Sequence, residues 1–572
     1  MDSGIISLGD YVNQSKTDFR LKRTTHDFVA DTFSFYKRDE LFPNIKGLEK
    51  EIMMIEQYFA GAREMGSLNQ RLILFLGPQS TGKTTLAKDL QRAVINYSQT
   101  ESGLLMAVDG CPFNQHPYDL VPREEREKLG IEWHMHSVAC PVCEVTIEKY
   151  KSYLDLPVRR LYIGPRSGIG EHISNDPRKE DETEFLGNLD YSKLATLANA
   201  KSNSEAYDWN GKLIWANRGL FYWEEMLKSR QQILTMLLNL TQDKKITYKN
   251  FPPLSVDMIV IGATNFGEYD KAVAENILEP LFGRAYVVEF KYVTDKRSEV
   301  GIYKQRLDKI NRSLIFKRGK SIECINPFIL ENYIAEIALE SRKKSGGKNG
   351  LAPRLFEDIM SIAHSNAVRE NKNCISFDTY LNALETVMSS ERLKKNDLGK
   401  YFESFETFTE TLKESMRNRL HEIIVEDLST FEDFRCRGQA YFEEYIRILK
   451  KKQRSANGKK DLTETDVQLL NDIYVNITTK SKIPLPDPEA FERTFLAYDE
   501  DKLLKMDYRD KEEIRYAINK LIGKDLEIRV RNALSAHSSN TGLVTDLKKI
   551  LTSKNRCCDE CGNDLLYFLA HG

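Results

Sequence analysis

The sequence predicts an α/β core, then a helical lid, then an all-α C-terminal domain, and three observations carry that prediction. Residues 71–85 read as an apolar strand, a glycine-bearing turn and a helix start, in that order. From there to about residue 295, short apolar β-rich runs alternate with helical segments, as in a largely parallel sheet. Beyond about residue 396, apolar residues recur almost wholly at helical spacing on segments rich in Glu, Lys and Arg.

Taken in order, residues 1–45 are a polar, mixed N-terminal segment that runs into Leu41-Phe-Pro-Asn-Ile-Lys-Gly47. Residues 46–295 make the α/β domain. It opens with a helix over 47–65, whose Leu48, Ile52, Ile55 and Phe59 share a face. Its clearest strands are Leu72–Leu76, Leu220–Trp223 and Met258–Ala263. The stretch of about 105–165 reads as an insertion without an obvious core of its own. Residues 296–395 form the lid, interrupted by the basic turn 342–350, and residues 396–572 form the C-terminal domain.

At 572 residues, 41% hydrophobic and 29% charged, the chain has the make-up of a soluble multidomain protein. A net charge of −2 supplies no basic field, which argues against nucleic acid as a partner. No apolar run approaches the ~20 residues that span a bilayer, and residues 1–10 lack the basic and apolar regions of a signal peptide. Nine cysteines over this length argue for a reducing compartment and against a disulfide scaffold. The expectation is a cytoplasmic protein with no membrane partner.

The turn after the first core strand spells the full pattern G-x-x-x-x-G-K-[ST] through Gly77, Pro78, Gln79, Ser80, Thr81, Gly82, Lys83 and Thr84, with Thr85 following. Gly77 and Gly82 let consecutive backbone N–H groups face a polyphosphate at the positive end of the next helix. Lys83 brings a point charge to the β- and γ-phosphates, and the Thr84 hydroxyl suits Mg²⁺. The expected ligand is therefore a nucleoside triphosphate with Mg²⁺.

A phosphate loop alone names no reaction. In Leu220-Phe-Tyr-Trp-Glu224-Glu225, an apolar run ends in two adjacent carboxylates. By position Glu224 is the acid on the Mg²⁺ side, with Thr84, and Glu225 the base that polarises an attacking water. The next strand ends in Thr264-Asn265, where Asn265 is suited to orient that water or touch the γ-phosphate; a strand-ending turn is the alternative. Arg284 lies between a helix and another apolar strand, and its planar, permanent charge suits a finger reaching a neighbour's phosphates. Arg354 follows Pro353 at the start of a lid helix, from which it would project over the nucleotide.

This order resembles AAA+ ATPases, which implies an α/β P-loop NTPase (AAA+) core. Phe185-Leu-Gly-Asn-Leu-Asp190 and Ala216-Asn-Arg-Gly219 resemble the branch that includes magnesium-chelatase and MoxR-type motors. The sequence is closer still to the PrkA family of serine protein kinases. Its matching blocks are Gly110-Cys-Pro, Ser167-Gly-Ile-Gly170, Asn175-Asp-Pro-Arg-Lys-Glu-Asp181, Asn217 through Lys228, and Leu238-Asn-Leu-Thr-Gln242. Weaker matches cover Tyr516–Ile522 and Cys561–Leu566. Glu224 stands where AAA+ motors commonly carry aspartate. The resemblance implies ATP-dependent phosphoryl chemistry, a ring of identical copies, a hexamer by expectation, and protein partners.

Cys140-Pro-Val-Cys143 has the spacing with which two thiolates grip one tetrahedral zinc. Cys111 and His116 would complete the set, with His134 or His136 as substitutes; reduced cysteines in turns are the alternative reading. Cys558-Asp-Glu-Cys561, beside Cys557, is a second such pair, with His571 as its only nearby histidine and a weaker case for metal. Cys324, Cys374 and Cys436 read as buried fillers.

A protein-kinase fold would carry G-x-G-x-x-G, V-A-I-K, H-R-D and D-F-G motifs in order, and none of that set is present. Gly168-Ile-Gly170 reads instead as a turn or substrate-facing loop. Three functions follow in order of expectation: a ring ATPase acting on protein partners, a serine/threonine kinase using the same site, and a nucleotide-switched scaffold.

Overall fold

The computed structural model describes residues 5–64, 67–131, 136–174, 176, 180–190, 207–247, 251–275, 279–318, 324–388, 401–428, 432–454, 462–481, 492, 493, 495, 497, 498, 506–535, 541–555 and 557–571. The chain divides into two compact units: Met1–Ile302 with Ser345–Pro353, and Tyr303–Lys344 with Arg354–Gly572.

The first unit is built on a six-stranded sheet. Its strands are β1 (Leu72–Leu76), β2 (Gly164–Pro165), β3 (Gly168–Ile173), β4 (Leu220–Glu224), β5 (Ile259–Thr264) and β6 (Ala285–Glu289). They lie in the order β6-β1-β5-β4-β3-β2, every neighbouring pair parallel. The sequence Leu-Ile-Leu-Phe-Leu of β1 is apolar throughout because both faces of a central parallel strand are covered. Alternation then assigns the side chains: Leu72, Leu74, Phe221, Trp223 and Val260 join one core, while Ile73, Phe75, Leu220, Tyr222, Ile259 and Ile261 join another. Helix α1 (Lys83–Ser98) covers the second of these with Leu86, Ala87, Leu90, Val94 and Tyr97.

The segment before residue 46 is woven into this unit. Ile5–Ser7 pairs antiparallel with Pro157–Arg160, which pairs in turn with Met106–Val108, making a separate three-stranded sheet. Thr25, at the start of helix Thr25–Phe35, donates its N–H to the Asp257 carboxylate and its hydroxyl to the Asp257 carbonyl, both at 2.8 Å. Asp257 also holds Arg218, which is 2% exposed, through an ion pair of 2.9 Å. Removing one partner of so buried a pair costs about 3–5 kcal/mol, so the Asn217-Arg218-Gly219 block fixes where β4 begins.

Two expectations are corrected here. The insertion after α1 shares the main core, through Phe113, Tyr118, Val121, Ile131 and Val158, instead of lacking one. Gly168-Ile-Gly170 is strand β3, not a turn or loop: a Cβ on Gly170 would lie 2.2 Å from the Lys212 carbonyl oxygen. Glycine is required because the backbone of helix Lys212–Ala216 passes directly over the strand.

The second unit is helical apart from the short parallel pair Cys324–Ile325 and Cys374–Ile375 among the described residues. Its C-terminal helices include Phe405–Leu428, Glu432–Arg454, Glu464–Ser481 and Glu512–Ser535, which share a core of Val425, Phe442, Tyr445, Leu449, Ile473 and Ile518. Among the described residues, no helix is long and apolar enough to cross a membrane.

Candidate functional site

The C-terminal ends of β1, β5 and β4 bring the predicted groups together. Strand β1 runs into the phosphate loop, and Gly77 N–H bonds the Thr264 carbonyl at 3.2 Å, so the loop is braced by the strand beside it. A Cβ on Gly77 would lie 2.2 Å from the Phe290 carbonyl oxygen, which leaves no space for any other residue. Ser80 and Gly82 take left-handed backbone angles, with φ of 62° and 92°, and Thr81 Oγ1 bonds the Pro78 carbonyl at 2.9 Å. The curl that results precedes Lys83 at the first turn of α1, where the N–H groups of a helix start are unpaired within the helix.

Lys83 Nζ donates to the Gly77 and Pro78 carbonyls, both at 2.6 Å. Burial pushes its pKa down to about 8, against the opposing pull of Glu225 and Glu224. Thr84 Oγ1 donates to Glu224 Oε1 at 3.0 Å and accepts from the Tyr222 hydroxyl at 3.2 Å. Glu225, one residue past β4, has a φ of 54° and pairs with Lys228 at 3.1 Å. Left-handed backbone at a non-glycine residue costs about 1–3 kcal/mol. Asn265 follows β5 and caps helix Phe266–Ala274, its Oδ1 accepting Glu268 N–H at 2.9 Å. Beside it, Thr264 Oγ1 is buried and makes no hydrogen bond.

Arg284 stands elsewhere. It precedes β6, its carbonyl accepts Leu72 N–H at 3.1 Å, and its guanidinium bonds Gln242 Oε1 at 2.8 Å and the Pro280 carbonyl at 3.0 Å. It therefore marks the edge of the sheet where β1 begins, while the phosphate loop follows the end of β1. Arg354 is an exposed residue at the start of helix Pro353–Arg369 in the second unit.

Behind Glu224 lies a network that sequence reasoning missed. His172 Nε2 meets Glu180 Oε1 at 2.7 Å, Ser174 and Ser229 hydroxyls donate to the same oxygen at 3.0 and 2.8 Å, and Trp223 Nε1 donates to Ser174 at 2.8 Å. Burial opposes ionisation of Glu180, but these bonds and the Arg230 N–H outweigh it and hold its carboxyl below the usual range. Ser174 N–H bonds the Glu224 carbonyl at 3.1 Å, so the network fixes the end of β4. The signal available was Glu180 itself, an acidic residue in the block at 175–181; nothing local ties it to Ser229.

Cys111, Cys140 and Cys143 are buried with their sulfurs within 4.8 Å of one another. Cys140 caps helix Pro141–Glu148, and its sulfur accepts Cys143 N–H at 3.4 Å. For Cys111, burial opposes ionisation, but hydrogen bonds from the Cys140 and Cys143 thiols and from backbone N–H groups outweigh it and favour the thiolate. His116 is not a member of the group, a correction to the expected four. Its Nδ1 accepts Tyr118 N–H at 3.1 Å and its ring stacks on Tyr118, which turns it to the aromatic core. His134 lies outside the described residues, and His136 does not belong to the group either.

Comparison with known proteins bears on the family. The profile of the PrkA AAA domain matches residues 6–330, and that of the PrkA serine protein kinase C-terminal domain matches residues 318–568. The "ATP-dependent protease PrkA" of Bacillus subtilis (strain 168) is 30% identical over 281 residues, 48% of this chain and 44% of that protein. The "Serine/threonine kinase YeaG" of Escherichia coli (strain K12) is 24% identical over 281 residues, 47% of this chain and 42% of that protein. The matches thus span less than half the length of either relative. A solved complex between subunits BchI and BchD of magnesium chelatase aligns over 62% of this chain and 98% of that chain, at 16% identity and a TM-score of 0.28.

Proposed function

Because this chain belongs to the PrkA family, with an AAA-type phosphate-loop core and a helical C-terminal region, we propose that it binds Mg-ATP at the loop Gly77–Thr85 and hydrolyses it to act on protein partners. The observation that carries this reading is the 3.0 Å bond from Thr84 to Glu224, which joins the phosphate loop to the acid pair across the intervening strand β5. The residues fit the ligand: a loop that only glycine can form at Gly77, a half-buried lysine, and the orphaned Thr264 hydroxyl. Mg²⁺, held by Thr84 and Glu224, would neutralise charge on the phosphates. Lys83 supplies positive charge to the same oxygens, Glu225 accepts the proton of the attacking water, and Asn265 orients that water. Arg284 completes the site of a neighbouring copy, which requires a ring.

Two relatives carry other names. Transfer of the γ-phosphate to a protein serine uses the same lysine and metal, with a hydroxyl in place of water, and is the second reading. Peptide cleavage would need an activated nucleophile. Ser174 and His172 are both buried, and each bonds Glu180 instead of the other, so this cluster is a brace. With the acid pair intact, a non-catalytic scaffold is the weakest reading.

ATP labelled at the γ-position separates these. Free labelled phosphate is the expected product; label on a protein serine would move the assignment to kinase, and no turnover with bound ATP would leave the scaffold. A second expectation concerns pH. With Lys83 at about 8, roughly half of the ligand-free sites hold neutral lysine at pH 8. Polyphosphate favours the ammonium form, so binding should take up a fraction of a proton there, and affinity should fall as pH rises further. Calorimetry in two buffers of different ionisation enthalpy reads the uptake directly.

The cysteine triplet of the insertion is assigned a structural zinc. Tetrahedral Zn–S bonds of about 2.3 Å set sulfurs about 3.8 Å apart, and Cys111 and Cys140 stand 3.6 Å apart.

A further inference from the structure

We propose that Cys374, Cys558 and Cys561 form a second zinc site, one that fastens the C-terminal helix to the strand pair of the helical unit. Their sulfurs lie within 4.8 Å of one another, although 184 residues separate Cys374 from Cys558 (558 − 374). Cys374 and Cys561 are buried and Cys558 is half-buried. Cys374, which reads in the sequence as a core filler, sits on the short strand Cys374–Ile375; the Cys-x-x-Cys pair opens helix Asp559–His571.

The geometry repeats that of the insertion on unrelated sequence. In both places a cysteine distant in sequence meets a Cys-x-x-Cys pair at a helix start. In both, the second cysteine of the pair turns its N–H onto the sulfur of the first at 3.4 Å. Amide donors and the positive end of a helix stabilise a thiolate, which is the form that binds metal. Chance packing of small apolar thiols explains one such cluster more readily than two of the same construction.

An oxygen donor lies against one member of the triplet. Glu560 Oε2 lies 3.5 Å from Cys374 Sγ. A tetrahedral zinc with bonds of about 2.3 Å to sulfur and about 2.0 Å to oxygen sets the two donors about 3.5 Å apart. Glu560 as it stands is not within 4.8 Å of all three sulfurs, so its use as the fourth ligand is part of the proposal. Neighbours of the site are already aligned: Asn373 N–H bonds Glu560 at 3.3 Å, Phe377 N–H bonds Asp564 at 2.8 Å, and Phe377 meets Phe568 edge-on at 4.9 Å. Cys557 is turned away, its thiol on the Leu551 carbonyl at 3.8 Å, and His571 stacks on Tyr567. Binding replaces the three thiol protons with one Zn²⁺ and releases those protons to solvent.

The test is zinc content of the full chain, purified without chelator. Cys374→Ser and Cys561→Ser should each lower zinc by about one equivalent relative to the unmodified protein, and Cys111→Ser should remove a separate equivalent. The two sites are thereby read independently. Unchanged zinc in Cys374→Ser and Cys561→Ser, or iron in place of zinc, overturns the proposal. Should those variants fail to fold, alkylation of the unmodified protein still decides it. With zinc present, half-buried Cys558 should react roughly tenfold more slowly than after chelation, while exposed Cys436 reacts equally in both. Equal labelling of Cys558 in the two states overturns the assignment.

Discussion

Arg284→Ala should leave ATP binding within a few-fold of the unmodified protein and lower turnover by about 10³- to 10⁵-fold, the range for loss of a finger arginine. The reason lies in the sheet. Arg284 precedes β6 at the edge where β1 begins, and β1 is five residues long. At about 3.3 Å per residue, its own phosphate loop is roughly 16 Å further along the strand. A guanidinium held by Gln242 and Pro280 at that edge is out of reach of its own chain's loop, so the proposed role lies in the site of a neighbouring copy. The decisive measurement is complementation. Arg284→Ala supplies an intact loop, Lys83→Ala supplies an intact finger, and mixed oligomers of two inactive proteins should regain turnover. No recovery on mixing, or unaltered turnover in Arg284→Ala alone, would remove the in-trans role.

Glu225→Gln should bind ATP and fail to hydrolyse it, with turnover down by about 10²- to 10⁴-fold, the contribution of a placed general base. Glutamine preserves shape and the left-handed backbone at this position, whose φ is 54°, so the loss reports chemistry and not folding. Glu224→Gln is the informative control. That residue accepts the Thr84 hydroxyl at 3.0 Å, so its loss should raise the Mg²⁺ concentration needed for half-maximal rate. If Glu225→Gln hydrolyses ATP at the original rate while Glu224→Gln does not, the roles of the two acids are exchanged. Binding is measured separately with a fluorescent nucleotide, so that a collapsed loop is not mistaken for a lost base.

Several features were legible because their cause is local. The phosphate loop needs Gly77 and Gly82 at fixed spacing, and β1 needs an unbroken apolar run, so both are written in adjacent residues. The acid pair was legible for the same reason, since it ends an apolar strand. Gly168-Ile-Gly170 departs from its local reading because Gly170 answers to a helix backbone more than forty residues away, at Lys212. His116 carries a ligand's chemistry at a plausible spacing, yet aromatic packing against Tyr118 claims it. Cys374 carries no local signal at all; its partners lie near the other end of the chain.

The sequence by itself determined which chemical groups this protein has and the short backbone shapes that hold them: a phosphate-gripping turn, two carboxylates at a strand end, and paired thiols at helix starts. Tertiary structure alone decided which groups meet, joining Thr84 to Glu224, separating Arg284 from its own loop, and gathering three cysteines twice. The division is physical. Backbone preference depends on the few residues around each bond, whereas side-chain proximity depends on strand order and register, which the packing of the whole core sets at once.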